Sequence, residues 1–261
     1  MNISKRKIIL PAITFVLLIV AWQLSIDFFK IPNYLLPSPK SVLHALYLGY
    51  VEGTLWKHMF YTLQSTVLGY VIGCGLAIML GAALAEFDVL NDMARPYVIA
   101  LQSMPKVALA PLIIVWFGFG IESKIVMVAL VCFFPVFVNT VVGLRETNSA
   151  LLDLMHAFSA SRWHIFTRIK LPGAASHIFA GLQISIVLSL IGAVVAEFVS
   201  STRGLGYVVN SAQVNMAVDT MFAALISLAV LGIVGSFLIG LLQSKVVFWN
   251  RQTGSTTMDT N

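Results

Sequence analysis

Two charged residues stand where charge is costly. Lys106 follows Ser103, Met104 and Pro105 about ten residues into an otherwise uncharged run that begins near Pro96. Glu197 ends a row of small and hydroxyl residues, Gly181, Ser185, Ser189 and Ala193, at four-residue spacing. Such groups inside an apolar helix are tolerated where they face a bundle interior or a wet cavity. Ser103, Met104, Pro105, Lys106 and Glu197 are therefore candidates for lining a solute pathway. Lys106 could attract an anion, or it could snorkel or pair with a carboxylate for structural reasons. Glu197 could line an outer mouth or cap a helix interface. Neither role is covalent chemistry.

Catalytic and nucleotide-binding patterns are missing from the sequence. There is no GxxxxGK[ST]; Gly118 to Lys124 resembles it superficially but lacks the second glycine in place. No Ser/His/Asp or paired-carboxylate arrangement points to catalysis. The five histidines, His44, His58, His156, His164 and His177, form no HExxH pair, and Cys74 and Cys132 lack CxxC spacing inside apolar runs. They read as reduced core residues, with neither a metal centre nor a disulfide framework. Any energy that a solute pathway needs would have to come from another subunit or an ion gradient.

Of 261 residues, 59% are hydrophobic and only 10% charged, with mean hydropathy +0.91. A soluble domain carries about 25% charged residues, so this composition predicts an all-α, polytopic membrane protein. The net charge of +5 is scattered between apolar runs and forms no basic stripe, which argues against nucleic acid. A single transmembrane domain over 1–261 is expected, with six spans at approximately 8–28, 58–85, 96–118, 125–144, 173–197 and 220–244. Segments 30–56 and 200–219 are placed outside, and 148–172 in the cytoplasm. The first run exceeds a signal-peptide core and is followed by no A-x-A site, so it reads as a retained span. Within segment 30–56, Ser38-Pro39 predicts the start of a short helix; Glu86 to Arg95 reads as a polar turn.

Packing rows recur. Gly69, Gly73, Ala77, Gly81 and Ala85 repeat at strict four-residue spacing, as do Gly232, Ser236, Gly240 and Ser244. Such rows let helix backbones approach closely in lipid. Lysines and arginines test the topology. Lys5, Arg6, Lys7, Arg95, Arg145, Arg162, Arg168, Lys170, Lys245 and Arg251 fall inside, ten of sixteen, leaving Lys30, Lys40, Lys57, Lys106, Lys124 and Arg203 elsewhere. The bias puts both termini in the cytoplasm. The tail from Gln252 is expected to be disordered.

Between the fourth and fifth spans lies the least membrane-like stretch of the chain's middle, Asp153 to Pro172. Leu151, Leu154, Met155 and Phe158 recur at helical spacing on one face. Ser159-Ala160-Ser161 breaks the pattern, Ser161 is an N-cap candidate, and Pro172 is expected to close the unit. The segment is either an amphipathic loop on anionic headgroups or a helical knuckle that fits a groove on a soluble partner.

Here the sequence resembles a family. Asp153, Ala157, Ser159-Ala160-Ser161-Arg162, Phe166 and Ile169-Lys170-Leu171-Pro172 are similar to the EAA loop of permease subunits of bacterial binding-protein-dependent ABC importers. Asp153 stands for the usual Glu, Leu154 and Met155 for the two usual Ala, and Ser159 for the usual Gly. If position 159 needs φ > 0, serine costs about 1 kcal/mol there. Met104 to Leu112 with Trp116-Phe117-Gly118 resembles the nitrate, sulfonate and taurine branch.

The resemblance implies a type I importer permease in the bacterial inner membrane. It assigns coupling to a separate ATPase to Asp153, Ala157, Ser159, Ala160, Ser161, Arg162, Phe166, Leu171 and Pro172. Its implied partners are a second permease copy, two ATPase subunits and an extracytoplasmic substrate-binding protein, besides membrane lipid. ATP and Mg would be bound by the ATPase chains, with no cofactor in this one. The implied solute is a small anion such as nitrate, a sulfonate, taurine or a related organic acid. The alternative is a gradient-driven carrier or channel, which would more often carry several intramembrane acids and an internal repeat.

Overall fold

Where lipid replaces water, backbone N–H and C=O groups must pair within their own segment, so apolar runs of spanning length fold as helices. The computed structural model describes residues 3–249, with side chains from residue 9 onward. Lys5, Arg6, Lys7, Arg251 and the tail from Gln252 lie outside the described side chains. The described residues contain no strand. In chain order the helices are α1 (Ile3–Phe29), α2 (Pro39–Val51), α3 (Thr54–Glu86), α4 (Asp88–Ser103), α5 (Ala110–Phe117) and α6 (Ile121–Arg145). They continue with α7 (Ser149–Ala157), α8 (Arg162–Ile165), α9 (Leu171–Ser200), α10 (Leu205–Val214) and α11 (Val218–Val246).

Five helical runs are long and apolar enough to cross a membrane: Ile9–Phe29, Thr54–Glu86, Ile121–Arg145, Arg162–Ser200 and Val218–Val246. A sixth exists if α4 and the run Lys106–Phe117 count as one broken span, for they meet at 83°. The expected third span is therefore not an interrupted helix but two helices at nearly a right angle. Met104 and Pro105 are extended at the break, and a 3₁₀ turn, Lys106–Leu109, leads into α5. A proline disfavours helical backbone in the residue before it and donates no N–H, which accounts for the stop after Ser103. The polar residues from Asp88 to Arg95, read as a turn, form the first half of α4 instead.

Pro172 also departs from expectation. It does not close the segment, because α8, a π turn at Phe166–Lys170 and α9 run on as one helix. Leu171 N–H bonds to Phe166 O, five residues back. That wide turn lies just ahead of a residue whose ring would crowd a normal α-turn and which has no N–H to donate.

Two compact units make up the chain, Met1–Thr62 with Thr202–Ala229, and Leu63–Ser201 with Val230–Asn261. In the first, Ser38 caps α2 by accepting from Ser41 N–H, as its sequence predicts. Gly204 N–H donates to His58 Nδ1 (3.1 Å), Leu205 N–H to Thr62 Oγ1 (2.8 Å) and Tyr50 OH to Ser227 Oγ (2.8 Å). These bonds tie α10 to the start of α3, and α2 to α11.

The second unit is built on α6, which packs against both α3 and α9. Gly69 abuts Val128, Gly73 the backbone of Ala129, and Gly81 Thr140. Gly181 meets Val136, and Gly192 meets Val128. Between α6 and α9, Ser185 Oγ donates to Cys132 O (2.9 Å) while Cys132 Sγ donates to Ser185 O (3.3 Å). Tyr70 OH of α3 reaches Leu182 O of α9 at 2.9 Å. The packing row on α3 thus faces protein, and so does the α9 row that ends at Glu197, with Gly181, Ser185, Ser189, Ala193 and Glu197 all buried.

Two glycines two residues apart test this seam. A Cβ at Gly73 would lie 2.5 Å from Ala129 O and 2.7 Å from its Cα, whereas one at Gly75 meets nothing within 4 Å. Gly73→Ala is expected to destabilise by about 1–3 kcal/mol, as overpacking does. Gly75→Ala should leave the thermal midpoint of the detergent-solubilised protein unchanged or raised. Equal midpoints for the two variants would refute the close approach.

Candidate functional site

The knuckle between α6 and α9 begins with Asn148, whose side chain accepts from Ala150 N–H at 2.9 Å and caps α7. At the other end of α7, Ser159 N–H bonds to His156 O (2.9 Å) and Ala160 N–H to Met155 O (3.0 Å), with Ser159 at φ +53°. This pair of bonds is a Schellman cap, in which the residue after the C-cap takes the left-handed conformation that glycine adopts most easily. The turn is therefore built in the usual way with an unfavourable residue in it. Ser161 then caps α8, its Oγ accepting from His164 N–H at 3.3 Å.

Most of the residues that the sequence nominates for coupling cluster around this turn. Asp153, Ala157, Ser159, Ser161 and Arg162 are exposed, and Ala160 is half-buried. Phe166 instead turns inward, against the cluster of Leu144, Ala174 and Ile178, while Leu171 and Pro172 lie further along the continuous helix. Leu154 (52% exposed), Phe158 (75%) and Trp163 (73%) form the large apolar part of the outward surface. Ile165 is buried, and Trp163 stacks on Phe166 with ring centroids 5.9 Å apart. Two ion pairs fix the segment's surroundings: Lys170–Glu86 at 2.7 Å and Arg145–Asp88 at 2.8 Å. Partly exposed pairs contribute little stability, so their value is geometric. A recess of about 290 Å³ opens between the end of α3, at Ala83 and Phe87, and Arg162, Trp163 and Phe166.

The pathway candidates lie at two places. At the break after α4, Ser103, Met104 and Pro105 are exposed, and Lys106 is half-buried. Lys106 Nζ donates to Gln102 O at 3.1 Å and sits 4.7 Å from the centroid of Phe134. It thus caps the carbonyl end of α4 and lies over an aromatic face, both favourable positions for a cation. Ser103 Oγ donates back to Ile99 O. Glu197 is only 1% exposed and engaged with neighbours, so within this chain it belongs to the packed interface of α9.

Lys124 is the residue that sequence reasoning missed. Left between the expected spans 96–118 and 125–144, it is fully buried in the first turn of α6. Its Nζ donates to Phe119 O (2.9 Å), Ser200 O (3.1 Å) and Ser200 Oγ (3.4 Å), and Glu197 and Glu122 attract it. A usable signal existed: Lys124 opens α6 and Glu197 nearly ends α9, and antiparallel neighbours bring those ends together.

Long apolar helices, a helix pair broken at a lysine and a structured knuckle between two of the long helices are together the features of a polytopic membrane protein. The chain belongs to the family described as binding-protein-dependent transport system inner membrane component, whose model matches residues 73–248. It is a permease subunit of a binding-protein-dependent ABC importer. It is 35% identical over 91% of its length to the riboflavin transport system permease protein of Chloroflexus aurantiacus, covering 88% of that protein. A putative aliphatic sulfonates transport permease protein of Bacillus subtilis is 31% identical over 94% of this chain and 87% of its own length. The fold is similar to that of a chain in an inward-facing MetNI methionine ABC transporter, with TM-score 0.58 and 19% identity over 73% of this chain and 93% of that one.

Ser159 yields a direct test of the turn. Ser159→Gly removes the left-handed penalty and should stabilise the protein by about 1 kcal/mol, seen as a higher thermal midpoint. A lower midpoint would mean that residue 159 does not occupy this conformation.

Proposed function

We propose that two copies of this chain enclose one import pathway and that segment 148–172 is the surface through which two separate ATPase subunits drive it. The observation that carries the reading is the exposure of Leu154, Phe158 and Trp163 on a turn whose backbone is hydrogen-bonded and capped. Large apolar side chains held outward by an ordered turn are suited to a partner's groove. Both termini lie in the cytoplasm on this reading, and an extracytoplasmic binding protein delivers the solute. ATP and Mg are held by the ATPase chains. Nucleotide binding there changes the fit of the knuckle, and coupling is the difference in its affinity for the two states of the motor.

The solute on this reading is a small anion, such as nitrate, a sulfonate, taurine or a related organic acid. Lys106 supports it: an ammonium beside a break in a span provides positive potential where little competes with it. The sulfonate relative supports the same class.

Two substitutions test the parts separately. Ala160→Asp places a carboxylate at the centre of the knuckle; it should cut ATP-dependent uptake at least ten-fold with unchanged amounts of protein in the membrane. Normal uptake would remove the docking role. Lys106→Gln should lower uptake several-fold at limiting solute and less at saturation, because a lost attraction weakens binding first. An unchanged rate leaves Lys106 as a cap of α4 alone.

A further inference from the structure

We infer that the surface beside the knuckle fits a partner patch in which an apolar or aromatic side chain stands next to a carboxylate. The side chain would enter the recess at Trp163, and the carboxylate would pair with Arg162. This rests on the ATPase-docking reading of segment 148–172 and adds the chemistry of the opposing surface.

Shape and charge both lead there. The recess of about 290 Å³ is walled mainly by small and aromatic side chains, Ala83 and Phe87 on one side and Trp163 and Phe166 on the other, and its one carboxylate, Glu86, is held by Lys170, so it suits one hydrophobic side chain. Stacking against Phe166 holds the Trp163 ring as a wall. Four Lys and Arg side chains lie between 145 and 170: Arg145, Arg162, Arg168 and Lys170. Arg145 is taken by Asp88 and Lys170 by Glu86. Among the described residues Arg162 and Arg168 form no ion pair, and Arg162 alone borders the recess. An exposed guanidinium at the lip of an apolar recess is a two-pronged donor set for a carboxylate.

A membrane surface fits less well. Polybasic attraction to anionic lipid needs several uncommitted cations, worth about 1 kcal/mol each. Here two arginines remain, and exposed Asp153 carries the opposite charge on the same knuckle. A protein patch of mixed acidic and apolar character answers all of these features together.

The test uses the intact importer complex purified from membranes. With p-benzoylphenylalanine in place of Trp163, irradiation should join this chain to the ATPase subunit, at a peptide carrying Asp or Glu beside an apolar residue. Arg162→Glu should reduce the ATPase retained on the permease at least ten-fold, while Arg162→Lys retains most of it. Ala83→Phe, which fills the recess, should act in the same direction as Arg162→Glu. An adduct at position 163 with lipid only, or unchanged retention in Arg162→Glu, overturns the inference. The same probe at Phe158 separates the two levels: an adduct there with the ATPase keeps the docking reading alive when the Trp163 and Arg162 results fail. If neither probe reaches the ATPase, both fall.

Discussion

Close approach of helix backbones is the constraint on which the second unit of this protein depends. Lipid tails are as apolar as leucine, so burying leucine against leucine gains little, and association relies on packing and hydrogen bonds. Helix α6 meets both constraints. On one side Gly69, Gly73 and Gly81 of α3 bring two backbones into contact, and on the other Gly181 and Gly192 of α9 do the same. The reciprocal Ser185 and Cys132 bonds and the Tyr70 bond to Leu182 are possible only at such distances. Each seam thus makes room for polar links that lipid could not satisfy.

Charge is placed around this frame in two different ways. Lys124 is enclosed at one end of α6 by Phe119 O, Ser200 and the field of Glu197, an arrangement in which a buried cation is paired and hydrogen-bonded. It joins the start of α6 to the end of α9 and so fixes which residues of the two helices face each other. Lys106 is held more loosely, by one carbonyl and one ring, beside a backbone break that no neighbour fills with a side-chain cap. The first lysine is committed to the fold; the second keeps donor capacity for something else.

Periodicity made the seams legible before any coordinates, since small residues at every fourth position can only share one helix face. The knuckle was legible too, because capping residues and an apolar face at 151, 154 and 158 are local signals. Features that depend on partners distant in sequence were not. The 83° break is stronger than a single proline implies, because Met104 and Pro105 both leave the helix. Pro172 gave a false stop, since a π turn ahead of it carries the helix through. Lys124 fell between two expected spans because its acceptor, Ser200, lies far along the chain. Glu197 carried two readings in the sequence, an outer mouth or an interface cap, and its burial within this chain is the packing that only distant partners could reveal.

A push on the knuckle reaches the spans only through a stiff linkage. A flexible loop would absorb displacement, but this segment has few places to do so. Asn148 and Ser161 cap its helices, a Schellman turn joins them, and Ile165 and Phe166 anchor it inward. Helix α8 continues through the π turn into α9, so displacement at Arg162 is carried along one 39-residue helix. Lys170 binds that helix to Glu86 at the end of α3, and α6 is packed against both. Under the docking reading the motor therefore moves α3, α6 and α9 as a body. The strained Ser159 and the widened turn at Phe166–Lys170 are the two points where the linkage departs from regular helix. Flexing within the segment would concentrate at those two points, since the π turn breaks the regular i→i−4 bonding and the left-handed Ser159 stands outside the deepest backbone well.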